Sequence, residues 1–215
     1  MRYALTVALI AAAAAAHGDI IDRIAVSVGA HVITQSDLFR EIRVAAFLNG
    51  AQPDFSPAGK RSTADRMVEQ RLIRNELENS RYPVPSPEEV IPELQAFQKK
   101  FYPEPGAYDR ALTAYGITDQ DVRDELLWQR SLLLFIEVRF RPGVQVSDQD
   151  IQSYFENTVA PAARLAHPGQ AISLEDYRDQ IERTLTGQRV DQQMDRWLEQ
   201  ARARTEIVFH PEVFQ

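Results

Sequence analysis

The chain of 215 residues contains no cysteine. Without cysteine it has no disulfide framework and no thiolate ligand for a metal, and no thiol can carry a lipid after export. Its stability must therefore come from a packed hydrophobic core. The length suits one large domain or two small ones, and either can bury such a core.

Positive charge is also scarce, because 24 Lys and Arg residues face 31 Asp and Glu residues for a formal net charge of −7. A net acidic surface repels phosphate, so nucleic acid is not an expected partner. The four histidines, at positions 17, 31, 167 and 210, are scattered, and none has metal-ligand spacing with another histidine or a carboxylate cluster. We therefore expect no bound metal and no cofactor.

Patterns of enzyme catalysis are missing too. There is no G-x-S-x-G motif and no cysteine nucleophile. The stretch "AGKRS", residues 58–62, lacks the first glycine and the Ser or Thr of a phosphate-binding loop, and it is predicted to be a solvated loop. Carboxylates in "TDQDVRDEL" (118–126) and "EDYRDQIER" (175–183) alternate with arginine at helical spacing, which predicts solvated helix faces and capping. No catalytic residue is predicted, and the chain is not expected to be an enzyme.

Long hydrophobic runs are limited to one segment at the N-terminus. Arg2 precedes an almost wholly apolar run from Tyr3 to Ala16, and "AAAHG" supplies the small residues that a signal peptidase requires. The run is shorter than the about 20 residues of a transmembrane helix. It predicts a signal peptide over residues 1–18 and a periplasmic protein with no stable membrane insertion after cleavage. An Ala-rich helix of a cytosolic protein and an uncleaved anchor are the alternatives.

Two strand patterns lie at opposite ends of the remaining chain. Ile24, Val26 and Val28 alternate with smaller residues, and the chain turns at Gly29 before a second short strand. The stretch "TEIVFH", residues 205–210, has the pattern of a third strand. Strands this short are not stable alone, so we expect the N-terminal hairpin and the C-terminal strand to pair in one small sheet.

Everything between these strands has helical periodicity. The first helix is capped by Thr34 or Ser36 and ends at Gly50, and "LLLFI" (132–136), apolar on all sides, predicts a central buried helix. The other predicted helices are 63–80, one that begins at Ser86, 108–115, 118–139, one that begins at Ser147 and is interrupted at 160–171, and 173–204. The fold class is mainly α, a multi-helix core with a small sheet. Residues 19–145 form a helical region that residues 146–215 complete.

Aromatic residues are concentrated in the connections and helix ends. A single such ring usually fills a gap between helices, but a group of them can line a groove that holds extended, unfolded segments. The predicted binding residues are Phe47, Phe97, Phe101, Tyr102, Tyr108 and Tyr115, and Phe55 belongs to the same set of exposed-segment aromatics.

The order and spacing of several motifs resemble those of the SurA/PrsA-type periplasmic folding factors. The motifs are "DRIAVSVGAHVITQSDL" (22–38), "RMVEQRLIRNELE" (66–78), "PSPEEV" (85–90), "ALTAYGITDQDVRDELLWQ" (111–129), "VSDQDIQSYFEN" (146–157) and "RDQIERTLTGQRVDQQMDRWLEQARARTEIVF" (178–209). The resemblance implies a SurA-like chaperone core in which N-terminal helices join a C-terminal helix and strand. Parvulin prolyl-isomerase domains follow the fifth motif in that family, but here only sixteen residues separate Asn157 from Leu174, too few for a domain.

This resemblance implies an ATP-independent periplasmic chaperone that binds unfolded or extended secreted and outer-membrane polypeptides, without an isomerase domain of its own. Two alternatives stay open. One is a divergent peptidyl-prolyl isomerase, and the other is a structural or assembly subunit that clasps one folded partner. The sequence does not predict the oligomeric state.

Overall fold

A computed structural model describes residues 22–215. The predicted signal peptide, residues 1–18, lies outside the described residues. Within them the protein is mainly α-helical with one small antiparallel sheet, which confirms the predicted fold class.

The sheet joins the two ends of the described chain. Its strands are β1 (Ile24–Val28), β2 (His31–Thr34) and β3 (Ile207–Phe209), in the order β2-β1-β3. Val26 is paired with Ile33 on one side and with Phe209 on the other, and both pairings are antiparallel. The predicted pairing of the N-terminal hairpin with the C-terminal strand is therefore confirmed.

The first strand departs from simple alternation at its start. Its register with β2 shifts between Ile24 and Val26, so Ile24 is exposed while Ala25, Val26 and Val28 are fully buried. Such a bulge adds one residue to a strand and changes which face the residues before it occupy. The expectation that Ile24 shares the buried face of Val26 is therefore wrong.

Helices fill the chain between β2 and β3. They are α1 (Gln35–Leu48), α2 (Pro57–Asn79), α3 (Ile91–Phe101), α4 (Ala107–Tyr115), α5 (Asp119–Arg139), α6 (Asp148–Tyr154), α7 (Ala160–Ala166) and α8 (Arg178–Arg204). Short 3₁₀ turns lie at Pro87–Val90, Arg141–Gly143 and Pro211–Val213, and a π-helical turn at Phe155–Val159 joins α6 to α7.

Capping boxes begin several of these helices. At α1 the hydroxyl of Thr34, not Ser36, accepts a hydrogen bond from the Asp37 backbone N–H, and the Asp37 carboxylate accepts one from the Thr34 N–H. This reciprocal pair satisfies two N–H groups that have no partner within the helix. The same arrangement forms at Thr118 with Asp121, at Ser147 with Asp150, and at Ser86 with Glu89 before the 3₁₀ turn.

Helix α2 begins six residues earlier than predicted. Ser56 caps it by accepting a hydrogen bond from the Gly59 N–H, and Pro57 occupies the first turn. The stretch 58–62 is therefore helical, and the prediction of a solvated loop is wrong. Lys60 is buried there, and its Nζ donates to the backbone oxygens of Val213 (3.2 Å) and Gln215 (2.6 Å).

Two further boundaries differ from the prediction. The helix that starts at α6 continues through the π turn and α7 to Ala166, with Pro161 in the first turn of α7, and the predicted interruption is confined to the residues that follow Ala166. The last helix, α8, begins at Arg178 and not at Ser173.

Three hydrophobic clusters hold the described chain together. The main one packs the sheet against α1, α2, α5 and α8. A second lies among α1, α3, α4 and the start of α5, and a third joins α6 and α7 to the start of α8. The prediction of a central buried helix at residues 132–136 is wrong, because only Phe135 is fully buried there and Leu133 is 64% exposed.

Candidate functional site

A groove of 510 Å³ lies where five helices meet. Helices α1, α2, α3, α5 and α8 all contribute side chains to it. The lining residues are Glu41, Ala45, Leu48, Asn49, Arg66, Glu69, Gln70, Ile73, Glu93, Phe97, Glu125, Leu126, Trp128, Gln129, Leu132, Met194 and Leu198. Its volume is within the range of about 300–1,000 Å³ that is typical of binding pockets.

The floor of the groove is apolar. Trp128 and Leu126 on α5 are buried, and Met194 and Leu198 on α8 lie beside the groove with Ile73 of α2. Together with Ala45, Leu48, Phe97 and Leu132 they give the groove its hydrophobic surface. Apolar side chains of a bound molecule would leave water on entering this space, which favours binding by about 25 cal/mol per Å² of apolar area buried.

Carboxylates dominate the charged part of the lining. Glu41 forms an ion pair with Arg66 at 3.2 Å, and Glu69 forms one with Arg202 at 3.1 Å. Glu93 and Glu125 have no ion-pair partner within 4.0 Å among residues 22–215. Four carboxylates and one guanidinium therefore line the groove, so its charge is negative.

Glu125 is the carboxylate most strongly affected by its surroundings. Burial and then the nearby Glu41 carboxylate raise the pKa of Glu125 to about 7, against the opposing effects of the Gln129 hydrogen bond and the charges of Arg66 and Arg74. Gln129 Nε2 donates to its Oε1 at 2.8 Å. The expectation that the carboxylates of residues 118–126 lie on a solvated face is therefore wrong for Glu125.

Arg74 contacts Trp128, one of the residues that line the groove. Its guanidinium lies over the ring of Trp128, 4.2 Å from the ring centroid. Burial, and then repulsion by Arg71, lower the pKa of Arg74. This cation–π contact contributes about 1 kcal/mol. It holds the indole ring of Trp128 in place at the floor of the groove.

The predicted aromatic residues do come together, but most of them lie inside the second hydrophobic cluster. Phe47 is its centre, with 1% of its surface exposed. Tyr102 stacks on Phe47 with ring centroids 5.5 Å apart, and Phe97, Tyr108 and Tyr115 contact the same ring at tilted or edge-on angles. Such contacts stabilise the packing of α1 against α3 and α4.

Hydroxyl groups anchor two of these tyrosines. Tyr108 donates to Asp119 Oδ1 and Tyr115 donates to the backbone oxygen of Ala51, both at 2.9 Å. Burial, followed by the hydrogen bond to Asp119, raises the pKa of Tyr108 well above its usual range. The hydroxyl groups of both tyrosines therefore make hydrogen bonds within the protein.

Phe97 and Phe101 differ from the others. Phe97 lines the groove, and Phe101 is 54% exposed at the end of α3, with its ring centroid 5.1 Å from that of Phe97. Phe55, by contrast, packs edge-on against Phe39 outside the groove. Direct contact of a client with the six predicted aromatics stays a prediction, and the geometry favours it only for Phe97 and Phe101.

Between residues 22 and 215, no group of three or more His, Asp or Glu side chains is placed to hold a metal ion. None of the helices described combines the length and the apolar content that a membrane span requires.

Comparisons of the chain with protein-family models, with curated proteins and with solved structures found no match. The class of protein is therefore defined by its own architecture: mainly α, closed by a three-stranded sheet, with an open acidic groove between helices. This arrangement can bind a partly apolar ligand, because its floor is apolar and its rim carries carboxylates.

A groove was predicted from the aromatic residues, but of those six only Phe97 lines the groove that the structure shows. Its residues come from five separate helices and share no motif, so no local pattern joins Glu41 to Trp128 or Met194. The one available signal was the position of Glu125, directly before the apolar pair Leu126 and Leu127 and three residues before Trp128, which places it at the edge of the buried face of α5.

Proposed function

We propose that the protein is an ATP-independent periplasmic chaperone that holds unfolded secreted or outer-membrane polypeptides in the groove between its helices. The observation that carries the proposal is the groove itself, an open apolar surface bordered by charged side chains. The SurA-like order of motifs and the predicted signal peptide support the periplasmic setting.

The groove suits a client that is not folded. A short unfolded segment can insert apolar side chains over Trp128 and Leu132 while its backbone stays near the open side, where water still reaches it. Binding of this kind depends on apolar burial and not on a particular sequence, which fits a chaperone with many clients.

The acidic character of the chain supports the same function. A net charge of −7 favours solubility of complexes in which apolar client segments remain partly exposed. Binding and release would follow from the equilibrium between folded and unfolded client, so the function needs no nucleotide.

Aggregation of an unfolded outer-membrane porin, followed by light scattering, tests the proposal. We expect the purified protein to slow aggregation at several-fold molar excess. The variant Ala45→Trp, which places a large ring in the groove, should lose most of this effect. Ala114→Trp is the matched control, because Ala114 is exposed on α4 and does not line the groove.

Circular dichroism would check that both variants keep the helical content of the natural protein. Aggregation that proceeds as fast as in buffer would overturn the proposed function. Equal suppression by the natural protein and both variants would show that clients bind elsewhere.

A further inference from the structure

We propose that the groove selects client segments that combine apolar side chains with a lysine or arginine, and that Glu125 is the residue that binds the cationic group. This inference rests on the proposed function, because it specifies which polypeptides the groove prefers. It concerns Glu125, a residue that the predicted set of aromatic binding residues did not include.

Charge complementarity is the first support. Among the side chains that line the groove, Glu41, Glu69, Glu93 and Glu125 are acidic and Arg66 alone is basic. A client segment that carried a carboxylate would be repelled, whereas a cationic one would be attracted. In a groove partly shielded from water this attraction is stronger than on an open surface.

The position of Glu125 is the second support. Its carboxylate is largely withdrawn from water, and the one hydrogen bond it accepts from a side chain in residues 22–215 comes from the neutral amide of Gln129. A carboxylate in such a place is costly to ionise unless a positive charge compensates it. A client ammonium or guanidinium group would supply that compensation through a charge-assisted hydrogen bond.

The charged groups around Glu125 leave this role open. On α1, Glu41 is paired with Arg66, and Arg40 lies near Asp37 and Asp121. On α2, the guanidinium of Arg74 lies over Trp128.

The remaining charged neighbours are acidic. Helix α3 brings Glu93 to the same groove, and α5 itself carries Asp121 and Asp124 next to Glu125. Every basic group near Glu125 is thus held by another residue, and no ion pair within 4.0 Å joins any of them to Glu125.

The shape of lysine and arginine fits the apolar floor. Both side chains have long apolar stems that pack on hydrophobic surface while the charged end reaches a polar partner. Leu126 and Trp128 follow Glu125 on α5 and offer such a surface at the groove. A neighbouring apolar side chain of the client would fill the part of the groove formed by Met194 and Leu198.

The preference for a cationic segment depends on pH through the ionisation of Glu125. Because the pKa of Glu125 is about 7, its carboxyl group is mostly neutral at pH 6 and mostly ionised at pH 8. A cation binds the ionised form, so binding releases protons near pH 7 and the preference for a cationic segment grows as pH rises.

Fluorescence anisotropy with labelled peptides tests the inference on the full-length protein. Two peptides share one apolar sequence and differ at a single central position, which is lysine in one and acetyl-lysine in the other. Acetylation removes the charge but keeps the stem. At pH 8 and low salt, we expect the lysine peptide to bind about tenfold more tightly, the gain of one charge-assisted hydrogen bond.

Glu125→Gln keeps the size of the side chain and removes its charge, so we expect it to bind the two peptides equally. Glu182→Gln is the matched control, because Glu182 is exposed on α8 away from the groove and should keep the full preference. In the natural protein the preference should fall at least threefold between pH 8 and pH 6.

Two failures are distinguishable. If porin aggregation is suppressed but the two peptides bind the natural protein equally, or the preference survives in Glu125→Gln or is lost in Glu182→Gln, this inference is overturned and the chaperone function stands. If porin aggregation is unaffected, the proposed function fails.

Discussion

At the scale of single residues, the environment of Glu125 separates this protein from an ordinary helical bundle. Five carboxylates in residues 22–215 pair with arginine at helical spacing, as Asp65 does with Arg61. Such pairs contribute little to stability because water screens them. Glu125 instead lies beside buried apolar side chains and Glu41, and its pKa of about 7 makes its ionisation sensitive to pH in the neutral range.

This environment predicts how stability changes with pH. In the unfolded chain Glu125 ionises near its ordinary pKa of 4.5, but in the folded protein it keeps its proton up to about pH 7. The folded state therefore binds more protons between these values, and the contribution of Glu125 to stability is present at low pH and is lost as pH rises through this window. We expect Glu125→Gln to gain about 2 kcal/mol over the natural protein between pH 5 and pH 8.

Urea unfolding at several pH values measures this difference. Glu182→Gln serves again as the control, since Glu182 is exposed and its replacement should leave the stability within about 0.5 kcal/mol of that of the natural protein. A pH-independent difference for Glu125→Gln would contradict the assigned environment.

At the scale of elements, helix starts were easier to predict where a capping box marks them. The caps at Thr118 and Ser147 were identified correctly, because a cap depends on residues only a few positions apart. The start of α2 was missed because Pro57 and Gly59 resemble a loop. Gly59 is needed there because a side-chain carbon at this position would lie 2.5 Å from the Asp54 carboxylate.

The first turns of α2 give a prediction about its packing. Lys60→Met keeps the apolar stem but removes the donor to the backbone oxygens of Val213 and Gln215. We expect a loss of about 1–3 kcal/mol in the free energy of unfolding, because carbonyl groups lose a charged hydrogen-bond donor. Chemical denaturation measures the change.

Lys99→Met is the control for this variant, since Lys99 is exposed on α3. Its stability should match that of the natural protein within about 0.5 kcal/mol. Equal stability of both variants would contradict the packed position of Lys60.

At the scale of the whole molecule, the sheet and the main core join distant parts of the chain. β1 lies between β2 and β3, and the main cluster combines side chains of β1 with Trp197, Leu198 and Val213. The guanidinium of Arg61 also lies 3.6 Å from the ring centroid of Phe209, so α2 contacts β3. The N- and C-terminal segments thus complete one core with the helices between them.

A new disulfide tests this closure, and the cysteine-free chain makes its formation unambiguous. Ser27 and Val208 are paired across β1 and β3. The Cα–Cα distance of such an antiparallel pair lies within the range that disulfides span. We expect the double variant Ser27→Cys, Val208→Cys to form the disulfide on oxidation. Its free energy of unfolding should then be about 2–4 kcal/mol higher than in reductant, because the disulfide closes a long loop. Failure to form the bond would contradict the pairing of the two ends.

The sequence by itself determined the local structure and its organisation. Alternating residues in 24–28 and 205–210 predicted the strands, and caps and glycines predicted most helix ends, because these signals depend on neighbouring residues. Only the tertiary structure decided which surfaces are buried. It placed Phe47 in the interior, left Leu133 exposed and brought Glu125, Trp128 and Met194 into one groove. Burial depends on contacts between residues far apart in the chain, so no short stretch of sequence specifies it.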